Sequence, residues 1–212
     1  MTSKQALKDN TELENELKKR LKGQVNFDRM TRALYATDAS IYQMDPIGVV
    51  FPKDVEDVVN TVTFAASHGI PVLPRGGGTG LAGQTVNHAV VMDFSRNMNH
   101  LCEMNAEEGW AWVEPGIVLD QLSALGAGHG LKFAPDPSTT NRGNIGGAIG
   151  NNSCGARSIV YGKTLDHVLE LDVVLADGSM TSFKELTSAE LDAKLTLQNL
   201  EGQIYREARR IA

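Results

Sequence analysis

Leu7, Leu13, Leu17 and Leu21 recur at helical spacing with charged residues between them, which predicts a solvated helix over Ser3 to Leu21 with Gly23 as its stop. A second short helix is predicted from Asp28 to Tyr35. The pattern then changes. Ile47 to Phe51 is a short apolar run that reads as a strand, ended by Pro52. Asp54 can cap a helix over Val55 to Ser67, because Val55, Val58, Val59, Val62 and Ala66 share one face. Gly69 closes that helix and Ile70 to Pro74 reads as the next strand, which completes a β-α-β unit.

Further strands are predicted over Ala89 to Phe94, His100 to Met104 and Trp110 to Glu114, the two tryptophans packing from one strand face. Val118 to Leu125 has a helical pattern broken by Gly126, Gly128 and Gly130, and a helix is expected to open near Ile145. Leu169 to Leu175 reads as a strand, and Asp177-Gly178 turns it into Met180 to Phe183. From Leu186 onward the pattern is helical, through Leu195, Leu197, Leu200 and Ile204 to Ile211. The last residues, Arg209 to Ala212, carry no glycine or proline stop, so the expectation is a cut through a helix in a longer polypeptide.

Composition narrows the function classes. The 212 residues are 42% hydrophobic and 22% charged, which suits a folded domain with a core. A net charge of −6 argues against coating a nucleic acid. No run of eighteen apolar residues occurs, and the polar start lacks the apolar stretch of a secretory signal. Only two cysteines, Cys102 and Cys154, are present, and they are far apart; a reducing, cytoplasmic setting is expected, with Cys154 a buried small residue. The five histidines, His68, His88, His100, His129 and His167, show no ligand spacing, so no metal site and no catalytic residue are assigned to this stretch.

Glycine carries the chemistry. Ten of the 21 glycines fall in two short stretches, five within 75–84 and five within 143–155, where an even spread would put two or three. Glycine costs chain entropy on folding, so such crowding needs a reason. In the first stretch, Arg75-Gly76-Gly77-Gly78-Thr79-Gly80 and then Gly83-Gln84, successive N–H groups can converge on an anion, with Arg75 adding charge. The second runs from Pro135-Asp136-Pro137-Ser138 through Gly143-Asn144, Gly146-Gly147 and Asn151-Asn152-Ser153 to Gly155, and is rich in amide and hydroxyl groups. Residues 131–165 have a local balance of +3 and residues 71–92 of +1, so the remainder carries −10. Positive charge gathered at the glycines is the footprint of a small anion such as a dinucleotide pyrophosphate. Gly78 to Gly83 also fits G-x-G-x-x-G, but a strand-like segment follows where a Rossmann site needs a helix.

Tyr35 to Ser40, Pro52 before the helix at Val55, Pro74 to Gly80, Pro135-Asp136-Pro137, Ile145-Gly146-Gly147 with Asn152, Tyr161-Gly162 and Val173 to Gly178 occur in this order. Together they resemble the FAD-binding domain of the vanillyl-alcohol oxidase / p-cresol methylhydroxylase superfamily, in particular its FAD-linked D-2-hydroxy acid dehydrogenases. The stretch Gly150 to Gly155 is similar to long bacterial versions that carry a C-terminal iron–sulfur region. The resemblance implies an α+β, FAD-binding type-2 fold. An N-terminal helical extension would occupy 1–34, two subdomains about 35–95 and 96–183, and a helical tail 184–212. It implies that Arg75 to Gly80 hold the pyrophosphate, completed by Gly83 and Gln84. Pro135 to Ser138 and Asn144 to Asn152 would line the flavin and ribityl side. Gly155, Tyr161, Gly162 and Val173 would approach the cofactor. FAD should be noncovalent, because Thr79 stands where some members attach flavin through histidine. Hydride transfer from a 2-hydroxy acid to the flavin is the implied reaction, with the substrate pocket in a part of the chain beyond this stretch. The electron acceptor is left open, and attachment would be peripheral to a membrane at most. Two alternatives stand beside it: a binding or scaffold domain without flavin, and a nicotinamide-dependent Rossmann enzyme with a helix starting near Gly80.

Overall fold

The computed structural model describes residues 10–211, so Leu7 and the start of the predicted first helix lie outside the described residues. Helix α1 (Asn10–Arg20) buries Leu13 and Leu17. Strand β1 (Gln24–Asn26) follows it, a strand too short to show a pattern in the sequence. Helix α2 (Arg29–Tyr35), capped by Asp28, leads to β2 (Gly48–Phe51), α3 (Val55–His68), β3 (Val72–Arg75) and β4 (Val90–Asp93).

These strands form one sheet in the order β1-β2-β4-β3. Strand β1 is antiparallel to β2, and β4 lies between β2 and β3, parallel to both, with Val49 opposite Val91 and Arg75 opposite Asp93. Every residue of β2 and β4 is buried, as expected of a parallel sheet covered on both faces. Each buried valine there contributes about 1.5–3 kcal/mol, so this is the stable frame. Helix α3 is fixed at both ends: Asp54 accepts from the Asp57 amide, and Gly69 ends the helix in the left-handed region at φ 69°. The fully buried carboxylate of Asp57 accepts from the backbone N–H groups of Lys22, Gly23 and Lys53, each at 2.8 Å, and so ties the turn before β1 to α3.

The second half is built differently. Strands β5 (Leu101–Asn105) and β6 (Trp110–Val113) form an antiparallel ribbon, in which Trp110 and Trp112 are half-buried. Helix α4 (Leu119–Gly126), α5 (Ile145–Gly150) and α6 (Ser158–Tyr161) follow, and Ile117, Leu119, Ile145 and Ala148 make a separate small core. A second ribbon, β7 (Glu170–Val174) and β8 (Met180–Lys184), turns at Gly178, which packs on Thr63 of α3. The helical tail is two helices, α7 (Ser188–Thr196) and α8 (Leu200–Ile211), the first opened by a reciprocal Thr187–Glu190 cap. Cys154, expected to be buried, is exposed, because it follows α5 in a loop on the surface. No helix opens near Gly80, so the Rossmann alternative fails on its own criterion. No helix of the described residues is long and apolar enough to cross a membrane.

Candidate functional site

Strand β3 ends at Arg75, and the glycine loop leaves the sheet at the carboxyl end of the parallel strands, the edge where open α/β sheets present ligand crevices. A cleft of about 240 Å³ opens there. Gly76 to Gly80, Gln84 and Thr85 form one wall, and Gly143, Asn144, Gly147, Ala148, Asn151 and Ser153 form the other. Leu119, Pro137 and Thr139 complete the lining. The fold therefore brings the two glycine clusters face to face. The Gln84 Nε2 donates to Asn151 Oδ1 at 3.0 Å and bridges them directly.

Backbone geometry explains the glycines of the first wall. Gly78 sits at φ 62°, and a Cβ there would lie 2.6 Å from Arg75 Nη2. A Cβ on Gly77 would collide with the backbone carbonyl of Arg142. The N–H groups of Gly76 to Gly80 donate to no group among the described residues. The hydroxyls of Thr79, Thr139 and Ser153 likewise make no hydrogen bond among the described residues. Asn144 donates from Nδ2 to the Gly116 carbonyl, while its Oδ1 is buried and unpaired among the described residues. Turning the amide over would set oxygen against oxygen, which fixes this assignment.

No lining residue is charged. Three of the cations counted in the sequence, Arg75, Arg142 and Arg157, are instead engaged with other protein groups. The Arg75 guanidinium is turned inward, with Nη1 donating to the carbonyls of Tyr35 (3.1 Å) and Thr85 (3.0 Å) and Nη2 to that of Thr37 (2.7 Å). Burial lowers its pKa, partly offset by Tyr35, Asp38 and Asp93, and the group stays protonated. Arg157 pairs with Asp136 at 3.0 Å, and Arg142 donates to Asn141 at 3.0 Å. Tyr35 donates to the buried Asp93, and burial together with that carboxylate raises the phenol pKa.

Of the residues singled out in the sequence, Gly76, Gly77, Gly78, Thr79, Gly80, Gln84, Pro137, Gly143, Asn144, Gly147, Asn151 and Ser153 line the cleft. Arg75, Gly83, Pro135, Asp136, Ser138, Gly146, Asn152, Gly155, Tyr161, Gly162 and Val173 do not. Several of these lie directly behind the wall. Asp136 (φ 56°) and Asn152 (φ 45°) hold left-handed backbone next to the lining residues Pro137, Asn151 and Ser153. Gly155 packs on the Asp136 backbone and Gly146 on Pro115. Val173 sits in the β7–β8 ribbon opposite Thr181. Sequence reasoning missed Thr85, Leu119 and Thr139 as lining residues, while Ala148 falls within the 144–152 stretch expected to line the site. Leu119 is indistinguishable from a core position in sequence; Thr139, beside Ser138, is the one legible signal. Among the described residues no group of three or more His, Cys, Asp or Glu could hold a metal ion.

An α+β fold with an uncharged, glycine-walled cleft at the end of parallel strands defines a nucleotide-binding domain. The family model described as FAD binding domain matches residues 46–184, and the chain belongs to that family. Among curated relatives, the chain is 43% identical over 193 residues to a D-2-hydroxyglutarate dehydrogenase of Pseudomonas putida, covering 90% of this chain and 19% of that protein. It is 39% identical to a D-lactate dehydrogenase of Archaeoglobus fulgidus, over 61% of this chain and 29% of that protein. It is 38% identical to the glycolate oxidase subunit GlcD of Bacillus subtilis, over 74% and 34%. The chain thus spans from about a fifth to a third of the length of these relatives. In fold it is similar to an alkyldihydroxyacetonephosphate synthase structure, with TM-score 0.75 and 22% identity over 85% of this chain and 36% of that one. A 6-hydroxy-D-nicotine oxidase from Arthrobacter nicotinovorans gives TM-score 0.69 at 23% identity, over 81% and 38%.

Proposed function

We propose that this chain is the FAD-holding portion of a flavin-dependent oxidoreductase that oxidises a D-2-hydroxy acid. The observation that carries the reading is the cleft itself: five consecutive loop residues with unpaired N–H groups facing a second wall of glycine, amide and hydroxyl. Such a surface suits a diphosphate held by dipoles. The opposite wall suits the hydroxyl-bearing part of a dinucleotide, because the unpaired hydroxyls of Thr139 and Ser153 can each donate or accept there. Gly147 fits the same picture. Nothing lies within 4 Å of a Cβ placed on it, so its bareness leaves room on the cleft side rather than relieving a clash.

Bound FAD supplies the two-electron acceptor for the alcohol. This chain's residues would bind and orient it: Gly76 to Gly80 at the phosphates, Thr139 and Ser153 at neutral polar atoms, and Pro137 and Leu119 as apolar wall. The cofactor is held noncovalently in this reading, since the lining has no histidine, cysteine or tyrosine to form a bond. The substrate class comes from the printed names of the relatives. The substrate pocket, the electron acceptor and any iron–sulfur region would belong to the remainder of a polypeptide of their length, working in the cytoplasm.

The test is a titration of the purified chain with FAD, followed by flavin fluorescence and absorbance. Saturable binding, with all flavin released into the supernatant on acid denaturation, is expected. A chain that binds no FAD at micromolar concentrations is a scaffold and overturns the reading. Flavin that stays with the precipitated protein overturns the noncovalent part alone.

A further inference from the structure

Arg75 precedes the glycine loop, and its sequence position suggests a phosphate ligand. The structure gives it a different occupation. Its fork reaches three carbonyls from two chain segments, Tyr35 and Thr37 on one side and Thr85 on the other, and its planar group lies 5.1 Å from the Tyr35 ring centre. The glycine loop is laid over the same group, with Gly78 close above Nη2. The Gly78 carbonyl accepts from the Ala39 amide at 3.0 Å. Asp38 closes the circuit, accepting from Thr85 Oγ1 at 2.7 Å and from the Ser40 amide at 2.8 Å. Three stretches, 35–40, 75–78 and 85, therefore converge on one guanidinium. Two of the three carbonyl owners, Tyr35 and Thr37, precede the matched family region at 46–184.

We infer that Arg75 is a positioning residue of the cofactor site: it clasps segment 35–40 beneath the glycine loop and so holds the loop's N–H groups in their array, without itself binding phosphate. The inference rests on the FAD reading above. Its physical basis is the fork. A guanidinium presents several donors in one plane and can satisfy three fixed carbonyls at once, whereas an ammonium is a point charge that cannot span them. A directly bound phosphate would ask chiefly for charge, which lysine supplies.

That difference sets the experiment. Arg75→Lys and Arg75→Met are compared with the parent by FAD titration and by hydrogen exchange at the Ala39 amide in flavin-free protein. A clasp requires both variants to weaken FAD at least tenfold and both to speed exchange at Ala39 at least tenfold. If Arg75→Lys keeps FAD within twofold and Ala39 stays protected while Arg75→Met loses FAD, Arg75 is a phosphate ligand and the inference is overturned. Should the Arg75 variants not fold, Asp38→Ala loosens the same circuit while leaving the Arg75 guanidinium and its three carbonyls in place, at the cost of one hydrogen bond to the lining residue Thr85. Faster Ala39 exchange with FAD weakened about threefold supports the clasp, and parental values for both overturn it. A parent that binds no FAD, yet whose Ala39 protection still follows Arg75, overturns the flavin reading and leaves the clasp standing.

Discussion

The two glycine clusters face one cleft, and their glycines are bare for two different physical reasons. In the first, the absent side chains make way for protein: Gly76 gives space to Asn144, Gly77 to the Arg142 carbonyl and Gly78 to Arg75. In the second, Gly143, Gly146 and Gly155 likewise make way for Thr139, Pro115 and Asp136, but Gly147 and Gly150 of α5 have nothing within 4 Å of a built Cβ. Most of these glycines are bare so that the chain can fold tightly on itself, and one, Gly147, is a bare position beside the cleft with no such neighbour. Crowded glycine thus marks a site only after the neighbours of each residue are known.

Substitutions can break this contrast. The largest effect is expected at Gly77. In Gly77→Asp the side chain meets the Arg142 backbone and a carboxylate enters the anion cradle. FAD affinity should fall at least 100-fold, about 2.7 kcal/mol or more, with a lowered melting temperature in the flavin-free protein. Retention of parental affinity, read by flavin fluorescence, would remove this loop from the site. Gly147→Ala is the sharper variant because its two effects have opposite signs. Alanine in a helix interior gains up to about 1 kcal/mol over glycine, so the flavin-free protein should melt at a higher temperature. The added methyl group occupies cleft space, so FAD should bind about tenfold more weakly. Gly150→Ala is its companion: that residue is in the same helix but does not line the cleft. It should alter FAD affinity by less than twofold. Equal losses at 147 and 150 would mean that the second wall is not where the cofactor lies.

Much of this arrangement is legible in the sequence. The helix over Val55 to His68 could be read because a cap at Asp54, one apolar face and a glycine stop all agree. The glycine loop could be read because local density and charge coincide. What stayed hidden depends on distant partners. Strand β1 is three residues long and exists through pairing with β2, which no local pattern encodes. Asp57 looks like a solvated first-turn acid, yet is fully buried because three backbone amides point at it. Arg75 illustrates the same limit at the site: its charge was visible, whereas the carbonyls that turn it inward come from residues 35, 37 and 85. Leu119 lines the cleft from a position that also serves the small second core, so a single apolar residue does two jobs with one signal.

The smallest expected effect concerns acid, and it separates the clasped first wall from the helical second one. Burial alone would raise the Asp38 carboxyl, but hydrogen bonds from Ser40 and Thr85 outweigh it and hold the group below the ordinary 3.8. A carboxyl whose folded pKa is depressed adds stability that is complete above its unfolded value and is lost as pH falls through the folded one. The contribution of Asp38 is therefore constant from neutral pH down to about 5 and fades below about 4. Because the group is only partly shielded, its size is on the order of 0.5–1 kcal/mol. Asp38→Asn carries no titrating group there, so the difference in urea midpoint between parent and variant should shrink between pH 5 and pH 3. The second wall has no acid in its lining. Gly147→Ala should accordingly keep the same stability increment over the parent at both pH values. A parent-to-Asp38→Asn gap that does not move across this window would show that the Asp38–Thr85 bond adds nothing to the fold, and the first wall would then owe its shape to Arg75 and glycine packing alone.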